Sequence, residues 1–351
     1  MQKSFLLILL LALTAAPIGA VEVASLYSAQ VPFNQKERDP RALAYRAALV
    51  EVLLRVSGSE LGSDPEMIKL LFPNPASYVV QFRPGTNDML WVSFDGDAIE
   101  QVLRQSGQTV WGSDRPLTLV WLAVDWGQGK REIIGADDAQ RRRAAARSID
   151  RNRRLRERVL EVAERRGLPI VFPLLDTTDL QSVSFSDIWG GFDDALLSAS
   201  KRYEAHSILV GRIRAESSQR NRWSYYFGDE LRTWNGEPEF VVGLVADLLG
   251  EEFAISGNAP VESIDLTVAG IATIEAYGAV QKLLSEVSVI ESYSITQVEG
   301  DRIRYRVEAL GGVERLSRAL RFNGLIEQNG FDGSRFPPDA LNSSLEFFYG
   351  P

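Results

Sequence analysis

Apolar and polar positions along this chain change their period repeatedly, and each change predicts an element. From Val23 to Val31 they alternate, a strand that Pro32 ends. Asp39-Pro40 then opens a long amphipathic helix, with Asp39 as N-cap and Pro40 in the first helical position. Leu43, Ala47, Val50, Leu53 and Leu54 form its stripe, and Ser57-Gly58 closes it. A short helix near Met67 to Phe72 follows. Tyr78 to Phe82 and Leu90 to Phe94 make a hairpin around Pro84-Gly85, and Asp95 caps a helix through Ala98, Val102 and Leu103. This first unit ends near Trp111-Gly112.

The next stretch begins with an apolar strand, Leu117 to Val124. It passes through an arginine-rich segment into a helix with the stripe Leu155, Val159, Val162 and Ala163. Then come a strand from Pro169 to Leu175, a helix near Asp193 to Tyr203 and a strand from Ser207 to Ile213. Arg222 to Phe227 and Glu230 to Trp234 form a hairpin turning at Gly228-Asp229. A helix carrying Phe240, Val241, Leu244, Val245, Leu248 and Leu249 closes the unit. Strands alternating with helices predict a parallel or mixed sheet covered by helices.

In the last stretch Ile264, Leu266 and Val268 alternate with polar residues, and Ile271 to Val287 follow as a helix. Val289 to Val298 and Arg302 to Leu310 form a hairpin about Gly300-Asp301, Val313 to Phe322 a helix, and Leu345, Phe347 and Tyr349 a final strand. The order β-α-β-β-α-β is ferredoxin-like. In the second hairpin strand Ile303, Tyr305, Val307 and Ala309 face one way, and Arg302, Arg304, Arg306 and Glu308 the other. One face is therefore buried, while the other is wet or meets a partner. The expected fold class is α+β or α/β, in three small αβ modules: residues 21–112, 113–256 and 257–351, preceded by a signal peptide at 1–20.

Composition narrows the chemistry more than it names it. Hydrophobic residues make up 45% and charged residues 24%, the balance of an ordinary globular chain. Cysteine is absent, which excludes thiol nucleophiles, disulfides, thiolate zinc sites and cysteine-held iron–sulfur clusters. A single histidine excludes a multi-histidine metal site. A net charge of −9 argues against nucleic acid as a partner, and no cofactor is expected.

The leading twenty residues read as a cleavable signal. Lys3 gives the positive end, Phe5 to Leu13 an apolar run too short to span a bilayer, Pro17 the break, and Ile18-Gly19-Ala20 the cleavage position. No later run reaches the roughly 18 apolar residues of a membrane helix. Export, and a soluble mature protein in the periplasm or held at the outer membrane, is the expectation.

Several stretches carry a family resemblance. They are Leu26-Tyr27-Ser28-Ala29-Gln30-Val31-Pro32, Val52-Leu53-Leu54-Arg55-Val56-Ser57-Gly58, Val110-Trp111-Gly112 and Leu209-Val210-Gly211-Arg212-Ile213, with Arg115-Pro116-Leu117-Thr118-Leu119-Val120-Trp121-Leu122 the most specific. Together they resemble the proteobacterial family called domain of unknown function 2066, over nearly the whole mature chain. The resemblance implies an exported protein of a Gram-negative bacterium and supplies no activity. The middle unit, with Ile170-Val171-Phe172-Pro173 and Arg202-Tyr203 leading into Ile208 to Arg212, is also similar to αβ domains of outer-membrane assembly proteins. Those include lipoprotein activators of peptidoglycan synthases, the curli secretion component and a flagellar basal-body protein. The opening unit is similar to the first domain of that flagellar protein.

Candidate chemistry is sparse. His206, the one imidazole, stands at a strand's edge with no G-x-S-x-G elbow to supply a nucleophile. Ser198 and Lys201 match S-x-x-K without its partner motifs, on a helix whose other face is core. Asp95-Gly96-Asp97 fails as a calcium loop, and Gly127-Gln128-Gly129-Lys130 fails as a phosphate loop. Asp176, Asp179, Asp187, Asp193 and Asp194 surround Trp189-Gly190-Gly191-Phe192, the arrangement closest to a glycan site. Nine arginines between Arg141 and Arg158 face only Asp150 and Glu157. Arg141, Arg142, Arg143, Arg147, Arg151, Arg153 and Arg154 are the candidate patch for an anionic partner, against a solvated helix face paired with the chain's own carboxylates.

The reading that follows is a non-enzymatic envelope interaction or assembly module, whose partner is an envelope protein or an anionic envelope component. Two alternatives stay open: a carboxylate-dependent enzyme of cell-wall glycan or peptide, and a small-ligand carrier with an apolar pocket between the second and third units.

Overall fold

The computed structural model describes residues 21–22, 26–58, 64–137, 146–215, 220–228, 230–327 and 344–350. The segment read as a signal peptide lies outside them. The described chain is a mixed α+β structure. It opens with β1 (Val21–Glu22), β2 (Ser28–Pro32), α1 (Pro40–Val56), α2 (Pro65–Leu71), β3 (Val79–Pro84), β4 (Met89–Phe94), α3 (Gly96–Gln105) and β5 (Thr109–Val110). It continues with β6 (Asp114–Arg115), β7 (Thr118–Asp125), β8 (Arg131–Ile134), α4 (Ala146–Arg166), β9 (Ile170–Val171), α5 (Thr177–Ser182), α6 (Phe185–Gly190), α7 (Asp193–Ser200), β10 (Ser207–Arg214), β11 (Arg222–Phe227), β12 (Glu230–Asn235) and α8 (Pro238–Phe253). It closes with β13 (Ile255–Ser256), β14 (Val261–Ala269), α9 (Ile274–Glu286), β15 (Ile290–Glu299), β16 (Arg302–Leu310), α10 (Gly312–Phe322), β17 (Ile326–Glu327) and β18 (Ser344–Phe348).

The first helix starts where its signal predicts: the Asp39 side chain accepts from the Ala42 N–H at 3.3 Å, and Pro40 needs no partner for a missing donor. Its buried stripe is shifted from the expected one. Ala44, Ala48, Leu49, Val52, Leu53 and Val56 face the β2-β4-β3 sheet, while Leu43 is 53% exposed. The cause is a helix apolar on more than one side, whose second stripe ends at Leu54 in a groove against α4 and α8.

The middle sheet runs β12-β11-β10-β7-β8, with β9 sharing the β7 edge beside β8. The pair β7/β10 is parallel and the outer pairs β10/β11 and β11/β12 are antiparallel. Alternate residues of β7 enter two cores. Val120, Leu122 and Val124 pack under α4 and α8, and Leu119, Trp121 and Ala123 under α6 and α7. Burial on both faces explains why the strand reads as one apolar run. Gly211 lets the Trp223 ring cross β10, since a Cβ there would stand 2.6 Å from that ring. The strand expected from Pro169 to Leu175 is only Ile170–Val171. Leu175 takes the left-handed conformation (φ 51°), and the chain turns away into α5.

Arg115 joins the opening part to the middle one. It is fully buried, and its five N–H bonds all reach backbone carbonyls: Gly112, Trp111, Arg55, Arg166 and Gly167, at 2.8–3.2 Å. Burial pushes its pKa down to about 9, and the five acceptors keep the proton in place at neutral pH. Two short pairings, β1 with β6 and β5 with β13, stitch the same seam. Gly58 and Gly250 meet there backbone to backbone, since a Cβ on Gly250 would lie 2.4 Å from the Gly58 oxygen.

The last sheet is ordered β15-β16-β14-β18-β17. It starts as the ferredoxin-like reading has it, β-α-β-β-α, and then departs. The short strand β17 comes next and takes the edge, and β18 enters between β17 and β14, running parallel to β14. Helices α9 and α10 pack on the face carrying Ile264, Leu266, Val268, Ile303, Tyr305, Val307 and Phe347.

Candidate functional site

The acids around Trp189 are organised by two short helices that sequence periodicity does not reveal. Asp176 caps α5 by accepting from the Asp179 N–H at 3.1 Å. Ser184 and Asp187 form a reciprocal capping box on α6: Asp187 accepts from the Ser184 N–H at 2.8 Å, and the Asp187 N–H donates to Ser184 Oγ at 3.3 Å. Arg202 grips Asp176 with two parallel bonds of 2.7 and 2.8 Å and reaches Asp179 at 3.1 Å. Asp179 is buried and also accepts from the Leu175 N–H, at 2.8 Å, and from the Tyr203 hydroxyl.

These contacts set the electrostatics. The Arg202 hydrogen bonds, with the Asp179 N–H, pull the Asp176 pKa down to about 2. The Ser184 hydroxyl and N–H likewise hold Asp187 below the ordinary carboxylate range. Burial and the bond to Asp179 push Tyr203 up to about 12. A glycosidase general acid needs a raised carboxyl pKa, and Asp176 and Asp187 move the opposite way. Asp193 lies 3.4 Å from Arg212 Nη2, so it too answers an arginine. Asp176, Asp179, Asp187 and Asp193 are thus each engaged by helix starts or arginines.

Aromatic and cationic side chains form a ladder beside it. Arg131 lies 5.8 Å from the Phe185 ring, Phe185 stacks on Trp189 at 5.1 Å, and Arg214 lies 5.0 Å from Trp189. His206 accepts the Leu117 N–H on Nδ1 at 3.2 Å, fixing the start of β7. Ser198 and Lys201 are both exposed at the end of α7.

Of the arginine patch, Arg141, Arg142 and Arg143 lie outside the described residues, and Arg147 is placed only by its backbone in the first turn of α4. Arg151 bonds Glu132 at 3.2 Å and covers the Trp126 ring at 4.6 Å. Arg153 pairs with Asp150 at 3.1 Å and Glu157 at 3.8 Å. Arg154 donates to the Asp150 carbonyl at 3.3 Å. Farther along the helix Arg158 pairs with Glu239 and Arg166 with Asp247 across to α8. Among the described arginines of the run, Arg151 and Arg158 meet carboxylates distant in sequence, and Arg153 the local Asp150 and Glu157.

A second arginine row is interleaved with acids: Glu299 stands opposite Arg302, and Glu308 and Glu346 share the face. Arg302, Arg304 and Arg306 stand two residues apart on β16 and are exposed on the sheet face opposite α9 and α10. Arg306 pairs with Asp265 at 3.1 Å, and Arg304 donates to Gln297 at 3.1 Å. Thr267 stands opposite Arg304, and Ser294 opposite Arg306, so hydroxyls flank the row on both sides.

A cavity between the middle and last parts, lined by Trp111, Phe253, Val287, Val289 and Arg315, has a volume of about 30 Å³, enough for about two waters. Among the described residues no group of His, Asp and Glu could hold a metal, and no helix is long and apolar enough to cross a membrane.

Residues 20–112 match the model of a family described as a domain of unknown function (DUF8605). No curated protein and no solved structure matches the chain.

Proposed function

We propose that this is an exported protein of the cell envelope, periplasmic or held at the outer membrane, that works as a non-enzymatic interaction or assembly module. Its mature chain is read as three αβ domains, 21–112, 113–256 and 257–351. The resemblance to domain of unknown function 2066 extends the reading beyond the stretch matched by the family model. The observation that carries it is the open face of the last sheet, where Arg302, Arg304 and Arg306 lie in a row with both helices on the other side. On this exposed, polar face the arginines alternate with Asp265, Glu299, Glu308 and Glu346, a mixed charge pattern that suits a protein partner of complementary pattern. The carboxylates near Trp189 hold arginines and helix starts, which weighs against the glycan-enzyme alternative.

The test is proximity labelling in the envelope with the full chain, wild type and Arg302→Glu/Arg304→Glu. These residues are exposed, so the double variant keeps its unfolding free energy within about 1 kcal/mol, part of it the like charge set opposite Glu299. The expected result is one or a few partners labelled by the wild type and lost with the variant. An identical labelling pattern from both proteins would remove the arginine row from the account. Recovery of intact Met1 in a cytosolic fraction would remove the envelope itself.

A further inference from the structure

Helix α6 covers β7, β8 and β10, but its layer stops short of the outer strands. On the same face of the sheet Arg222, Leu231, Thr233 and Asn235 are left exposed. The register places Arg212, Arg222 and Asn235 in one row across β10, β11 and β12, and Val210, Ser224 and Thr233 in the next. Arg212, Arg222, Ser224, Thr233 and Asn235 line a cleft of about 360 Å³, which Trp223 and Trp234 complete. That volume falls within the ~300–1,000 Å³ of small-molecule sites.

The positive charge in this cleft is answered in part, by Asp193 at Arg212. Two guanidinium groups directly opposite each other on paired strands repel. Arg212 is fixed and 11% exposed: Nε donates to the Ile188 carbonyl at 2.6 Å, Nη1 to Ser224 Oγ at 2.9 Å, and Nη2 reaches Asp193 at 3.4 Å. Arg222, by contrast, has the neutral Asn235 as its other cross-strand neighbour. Arg214, two residues beyond Arg212 on the same face, lies over Trp189 and opposite Asp125, outside the cleft. An anion seated between Arg212 and Arg222 relieves the repulsion and receives a planar fork of donors.

The remaining lining decides what kind of anion. Thr233, Ser224 and Asn235 offer hydroxyl and amide groups that both donate and accept, the complement of a ring bearing several hydroxyls. At the rim the loop carrying Gly191 passes close enough that a Cβ there would be 3.5 Å from Arg212 Nη2. The next residue, Phe192, is 65% exposed, with its ring beside Gly190. We propose that this cleft binds an anionic saccharide, with the acid group between Arg222 and Arg212 and the ring hydroxyls on Thr233, Ser224 and Asn235. The site is separate from the arginine row of the last sheet and does not depend on it.

Titration calorimetry of the full mature chain tests this with four probes: glucuronate, glucose phosphate, glucose and inorganic phosphate. At least one charged sugar is expected to bind about tenfold more tightly than glucose and than inorganic phosphate. Arg222→Gln weakens that binding about tenfold or more, and Thr233→Val several-fold, with unchanged denaturation midpoints because both residues are exposed. Arg302→Gln, on the other sheet, leaves it unaltered. Glucuronate binding alone assigns a sugar acid and glucose phosphate alone a sugar phosphate, and either supports the proposal. No saturable binding of either, equal binding of inorganic phosphate, or indifference to Arg222→Gln overturns it.

Discussion

Arg115 and Trp111 are held together twice: Nη2 of Arg115 donates to the Trp111 carbonyl at 2.8 Å, and the guanidinium carbon lies 4.0 Å from the indole centroid. A desolvated cation over an indole contributes about 2 kcal/mol or more. The same group bonds carbonyls from three separate stretches, the end of α1, the turn after β5 and the end of α4. Few single side chains in the molecule determine so many backbone positions.

Arg115→Lys keeps the charge and discards the planar fork, leaving buried carbonyls without donors. A loss of about 3–5 kcal/mol is expected in urea unfolding. A midpoint within experimental scatter of the wild type would show that the seam holds without it.

Gly211→Ala tests how tightly the middle sheet is packed. The added methyl would stand 2.6 Å from the Trp223 ring and 2.7 Å from Leu122 Cδ2, so the ring must shift. Destabilisation of about 1–3 kcal/mol follows, with a change in tryptophan near-ultraviolet dichroism. An alanine variant with native dichroism and stability would mean that Trp223 has room the packing does not show.

Acid should weaken the 172–203 segment in a defined window. The Asp176 pKa is depressed to about 2 in the folded protein by Arg202 and by the Asp179 N–H, against about 3.9 in an unfolded chain. Its contribution is therefore complete above about pH 4 and disappears as pH falls from there through 2. Asp176→Asn removes that share of the pH dependence. Titration of wild type and variant from pH 5 to 2 should show the steeper fall in the wild type, and parallel curves would refute the linkage.

What could be read from the sequence was local. Asp39-Pro40 announces α1, and the Leu155, Val159, Val162 and Ala163 stripe of α4 is buried, because caps and periods act within a few residues. Helices α5 and α6 escape a periodicity search, since six residues are under two turns. The spacing of Ser184 and Asp187 was the available signal, a capping box in place of candidate catalytic acids. Strand β8 is too short to show a period of its own. The arginines of α4 stand out in sequence, but the partners of Arg151, Arg158 and Arg166, namely Glu132, Glu239 and Asp247, come from other elements. For the same reason the Arg212–Arg222 row is invisible beforehand. It depends on the register of β10 against β11, and Arg214 and Arg222 are too far apart in sequence for a two-residue turn to set it.

The pairing of β5 with β13 has a temporal side. A polypeptide lengthens from its N terminus, so Val110 exists well before Ile255, the residue that completes its ladder. Gly58 likewise waits for Gly250 to fill the space beside it. The earliest-made portion of the molecule is thus among the last to be finished, and truncation anywhere before residue 256 leaves it with an open flank.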